Sequence, residues 1–181
     1  MSSQHDSILD GRPQKLRREL QHSQDKAVRR RRAIIVSSLA GMASMAVVSL
    51  FQAGLLRHLL DPPLRRFDSD RVNSSDTAYR YGLPDGPLSL TAHAANVALA
   101  AIGGEERTSR PWIPFLACGK AAAEAAVAAK YLFYQMPVVE GTWCGYCIVD
   151  ALSHIGTFLL TLPEAVDAWV ARASRRAPAH L

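Results

Sequence analysis

Cysteine is scarce in this sequence: three in 181 residues, Cys118, Cys144 and Cys147. That number is too small for a disulfide-stapled scaffold. A second cysteine pair and a histidine cluster at ligand spacing are both absent. A structural zinc ion needs four ligands, so a zinc site is disfavoured and no metal is expected. Net charge is lacking outside one segment. Residues 1–32 hold nine Lys/Arg against four acidic residues, and the other 149 balance 12 against 12. Charge confined to one arm argues against a nucleic-acid surface. There is no internal repeat or low-complexity tract, and the length excludes a large multidomain enzyme.

Long apolar stretches are plentiful. Ala33 to Leu56 runs 24 residues without a charge, and 17 of them are apolar. A bilayer core of about 30 Å takes about 20 helical residues, so this segment predicts a membrane span. Its apolar run exceeds the usual core of a cleaved leader, which favours an anchor. Residues 57–86 are rich in Pro, Asp, Ser and Arg, show no helical period, and read as a loop. The stretch 87–104 is again uncharged, with Pro87 suited to a helix start and Gly103-Gly104 to its end. A charged hinge, Glu105 to Arg110, precedes an Ala-rich third segment over 111–135. That segment contains Lys120 and Glu124, spaced i,i+4 and able to pair within a bundle. The fourth segment covers 145–166 and leads into a basic tail over 171–181.

These segments predict an all-α fold: an integral membrane four-helix bundle over 33–170, preceded by a basic arm that is disordered or a surface helix. Cytoplasmic termini would place 14 Lys/Arg on the inner side and five on the outer, as the positive-inside rule prefers. This topology puts loop 57–86 and the cysteine pair outside. In a bacterium that means the inner membrane with the site facing the periplasm, an oxidising compartment.

The strongest local motif is Trp143-Cys144-Gly145-Tyr146-Cys147. Cysteines three apart at a helix start can close a small disulfide, and the positive helix end favours the reactive thiolate. The motif is like that of thioredoxin, but only 34 residues follow Cys147, too few for that fold. The remaining readings are a membrane-embedded redox pair or a structural or redox-sensing disulfide in a non-catalytic protein.

Four apolar segments, a long loop after the first, and CGYCIVDALSHIGTFLLTL opening the fourth together resemble the vitamin K epoxide reductase family. The resemblance implies a quinone-linked thiol–disulfide oxidoreductase. Cys147 would face the quinone (ubiquinone or menaquinone), and Cys144 would exchange with a periplasmic thioredoxin-like thiol protein. Members usually carry a cysteine pair in the first outer loop and an aromatic residue one turn past the second motif cysteine. Here the loop has no cysteine, and Ala151 stands at the aromatic position.

Cys147, Asp150 and His154 fall at i, i+3 and i+7, on one helix face. His93 lies about 9 Å below Pro87 on the second segment, and His154 about 10 Å below Cys147, at 1.5 Å per residue. The two histidines are therefore expected at one depth. Reducing a quinone consumes protons, and histidine titrates near neutrality. Asp150 and His154, with His93 or Asn96, are thus candidate proton donors or quinone contacts. Facing histidines also suit haem ligation, but no other haem feature is visible.

Overall fold

In the computed structural model the described residues are 3–103, 107 and 110–176. They form six α-helices: α1 (Ser3–His22), α2 (Lys26–Gln52), α3 (Ser69–Asn73), α4 (Asp85–Ala101), α5 (Trp112–Lys130) and α6 (Gly145–Arg176). A π-helical stretch, Tyr131–Glu140, continues α5. Among the described residues there is no strand, only an isolated bridge between Phe67 and Trp143. Of the charged hinge, only Arg107 and Arg110 fall inside the described residues, and the tail is described as far as Arg176. The side chains of 3–12 and 175–176 also lie outside them.

Among the described residues, three helices are long and apolar enough to cross a membrane: Lys26–Gln52, Trp112–Glu140 and Gly145–Ser174. At 17 residues, α4 reaches about 26 Å, slightly short of a bilayer core. It packs lengthwise on α2, which also packs on α6, while α5 packs on α6 and barely meets α4. Many large apolar side chains face outward. Val36 and Leu159 are 68% and 60% exposed, whereas Ser38, His93 and Thr157 are at 0%, 0% and 1%. Polar groups gathered inside and aliphatic ones outside are the distribution that lipid, not water, selects.

Boundaries depart from the sequence reading for local reasons. Asp25 caps α2, its Oδ1 accepting from the amides of Ala27 (2.8 Å) and Val28 (3.3 Å). The helix therefore starts inside the basic arm, and Arg31 is carried inward to donate to the Gly103 carbonyl at 2.8 Å. The loop expected over 57–86 contains α3, a helix of five residues capped by Asp68 (Arg71 N to Oδ1 2.9 Å). One turn is too short to show a period. The third segment runs past 135 because the wider π winding takes in Pro137, which has no amide to donate, and stops at Gly141 with φ of +68°.

Candidate active site

The cysteine motif sits where the outer loop meets the start of α6. Cys144 precedes the helix, and its carbonyl accepts from the Ile148 amide at 3.0 Å. Its sulfur accepts from the Cys147 amide at 3.1 Å and is joined to Cys147 as a disulfide. The first-turn dipole is thus directed at the sulfur that would carry charge on reduction. Cys144 is fully buried and Cys147 nearly so.

The loop covers this pair. Asn73, at the end of α3, donates through Nδ2 to Cys144 Sγ at 3.2 Å, and its Oδ1 lies 3.6 Å from Cys147 Sγ. Three carboxylates shape the loop. Asp61 accepts from Ser69 N (2.8 Å) and Oγ (2.6 Å), Asp70 accepts from Leu59 N (2.7 Å), and Asp68 caps α3. Backbone bonds join the loop to the motif: Trp143 N to Arg66 O at 2.8 Å and Asp68 N to Trp143 O at 3.0 Å. Asn73 had no signal in the sequence, since a lone asparagine in a polar loop has no spacing to read.

Below the disulfide lies a cavity of about 460 Å³, between α4 and α5 and floored by α6. Cys147, Asp150 and His154 line it; Cys144 does not. Ser89 and Glu124 line it too, and Arg80, Tyr81 and Lys130 lie toward the loop. His93 and Asn96 are buried behind it, at 0% and 3% exposure. Asp85 also lines the cavity, where burial raises its carboxyl pKa, opposed by the Gln52 amide (2.7 Å) and reinforced by the charge of Asp150.

The titratable residues singled out in the sequence meet in one network. His93 and His154 stack with ring centroids 3.9 Å apart and planes within 13°. His93 Nε2 lies 3.0 Å from Asp150 Oδ1. Ser89 Oγ donates to Asp150 Oδ1 at 2.5 Å and lies 3.0 Å from His154 Nε2. On the other side, His154 Nδ1 is 3.4 Å from Glu124 Oε2, an ion-pair separation rather than an aligned hydrogen bond. Glu124 pairs with Lys120 and accepts from Asn96 Nδ2 at 2.9 Å, while Lys120 also donates to Asn96 Oδ1 at 2.8 Å. Asn96 therefore holds the charge pair rather than facing the cavity. Two positive imidazoles at this separation would repel by about 4 kcal/mol at an effective dielectric near 20.

His93, Asp150 and His154 place ligand-type atoms within 4.8 Å of one another. A bound ion lies near the plane of each imidazole it touches. Two nearly parallel stacked rings direct their lone pairs side by side, not to one point. This arrangement suits sharing a proton better than holding a metal.

A family model described as vitamin K epoxide reductase family matches residues 32–162, most of the chain. The chain belongs to the vitamin K epoxide reductase family. A comparison with curated proteins finds no match. Family membership implies a membrane disulfide oxidoreductase, and the three apolar helices fit a multi-pass membrane protein. Within the family pattern the covering loop has Asn73 on the sulfurs and no cysteine. Ala151 is packed beneath the disulfide, and the cavity's tyrosines, Tyr81 and Tyr131, come from the loop and the π stretch instead.

Proposed function

We propose that the protein couples the Cys144–Cys147 pair to quinone reduction at the outer membrane face. In this reading the stretch 87–104, which α4 enters at Pro87, is the fourth span, both termini are cytoplasmic, and the host membrane is a bacterial inner membrane. The observation that carries it is the asymmetry of the disulfide. Cys147 opens onto a cavity of about 460 Å³ with Asp150 and His154 one and two turns deeper, whereas Cys144 faces the loop. That volume suits a quinone headgroup, and the gap between α4 and α5 leaves a side for a lipid-soluble tail.

A reduced thioredoxin-like protein attacks Cys144, leaving Cys147 as the thiolate that faces the quinone. With no loop cysteines to relay electrons, the partner thiol meets the pair directly, and the loop must move aside first. Asp150 and His154, supported by His93, supply a proton to a quinone oxygen. The basic end of α2 lies at the opposite end of that helix from the loop and the disulfide, in keeping with the charge asymmetry behind the topology.

The test is thiol trapping of the purified protein with and without a short-chain ubiquinone analogue. The reduced pair should reoxidise on adding quinone, and Cys147→Ala should abolish this. A pair indifferent to quinone would instead support a second reading, a structural disulfide, which the complete burial of Cys144 favours.

A further inference from the structure

The site holds a donor arrangement that the cysteines alone do not require. His154 stands between two carboxylates: Glu124 at 3.4 Å from Nδ1, and Asp150 reached from Nε2 through the Ser89 hydroxyl at 3.0 and 2.5 Å. We propose that His154 is the resting proton carrier, an imidazolium that hands its proton to the quinone through Nε2 and Ser89, and that Glu124 is the positioning residue that keeps it charged. This rests on the quinone reading above.

The charges close around one extra proton. Lys120 and Glu124 cancel, and Asp150 cancels an imidazolium on His154, leaving His93 neutral with its Nε2–H directed at Asp150. A proton on His93 as well would stack two cations. Among the described residues, the titratable groups against His154 are His93 from α4, Glu124 from α5 and Asp150 on α6, with Lys120 behind Glu124. Asp85, Lys130 and Tyr131 line the cavity nearer the loop, and α2 meets His93 with Gly41, which has no side chain. Lys120 is itself anchored, donating to the Ala92 carbonyl at 2.8 Å. Glu124 is thereby held by Lys120 and Asn96, with His154 as its third neighbour.

The step balances. Partner dithiol reduces the disulfide, leaving the pair as one thiol and one thiolate, with one released proton. In the second half the Cys144–Cys147 bond re-forms and two electrons pass to the quinone. One proton comes from the pair's remaining thiol and one from His154, giving the quinol and neutral His154. The proton released in the first half then recharges His154.

The test uses the full-length protein, dithiothreitol as reductant and a short-chain ubiquinone analogue, with kcat and KM measured from pH 5 to 9. Glu124→Gln removes the charge and keeps the shape. It should move the alkaline fall of kcat to lower pH by about one unit, because an opposite charge at this range shifts a pKa by about 1–3 units. Above that pH, kcat should drop about tenfold while KM changes less than about twofold. Glu124→Asp should restore most of the profile. Ser89→Ala should lower kcat about tenfold or more without moving the fall. Dithiothreitol reduction of Cys144–Cys147 at the wild-type rate shows each variant is folded. Wild-type turnover with an unmoved Glu124→Gln profile would overturn this inference alone. No turnover in the wild type would overturn it together with the quinone reading.

Discussion

Asn73 donates a hydrogen bond to the sulfur of Cys144 across a loop that has no cysteine of its own. The same side chain donates to the Ser69 carbonyl at 2.8 Å, so α3 itself aims it. On reduction, an amide donor at 3.2 Å stabilises a Cys144 thiolate more than a neutral sulfur. Asn73→Ala should therefore make the pair harder to reduce, lowering its potential by about 30 mV, the equivalent of about 1.4 kcal/mol. Equilibration in defined dithiol buffers measures this, and an unchanged potential would show that the contact is steric only.

Cys144 is reached only when the loop opens, and Asp61 holds the loop with two bonds to Ser69. Asp61→Ala should cost the closed state about 1 kcal/mol or more, as removal of a capping acceptor does. Attack by an external thiol through a local opening should then speed up about fivefold or more. The rate of disulfide reduction by dithiothreitol reads this directly. Equal rates would mean that the loop opens by another hinge.

Gly41 lies so close to His93 that a β-carbon there would come within 2.2 Å of the imidazole Nε2. His93 is in turn backed by the His154 ring and bonded to Asp150. Gly41→Ala should destabilise the protein by about 1–3 kcal/mol, as overpacking of a filled interior does. Thermal unfolding in detergent checks the cost. A variant with the wild-type midpoint would show that the His93–His154 stack is loosely held.

Asp85 carries a carboxyl whose pKa is raised above 3.8 chiefly by burial. The folded protein then binds more protons than the unfolded chain between 3.8 and the raised value, so stability falls as pH rises through that window. Asp85→Asn keeps an oxygen for the Gln52 amide and removes the charge. Its unfolding midpoint should exceed that of the wild type at pH 7, and the difference should shrink as pH falls toward 4. A difference constant with pH would place the effect outside this titration.

Much of the architecture was legible in the residues. Ala33–Leu56 announces a span by length and lack of charge, and the spacing of Cys147, Asp150 and His154 announces one helix face. The common depth of His93 and His154 followed from the helix rise alone, because both helices start near the loop. Element ends were less legible. Asp25, Asp68 and Gly141 set them through single capping or turning interactions, which leave no periodic trace.

The sequence by itself determined an all-helical membrane chain with one cysteine pair at a helix start, because hydrophobic length and motif spacing are local properties. Only the tertiary structure decided which side chains share the site. Asn73 comes to the sulfurs across 71 residues, Ser89 to Asp150 across 61, and Glu124 to His154 from a separate helix. It also showed that Asn96 serves the Lys120–Glu124 pair rather than the cavity. Such partnerships depend on how helices are rotated and packed against one another. Burial then obliges each polar group to find the partner that the packing brings within reach.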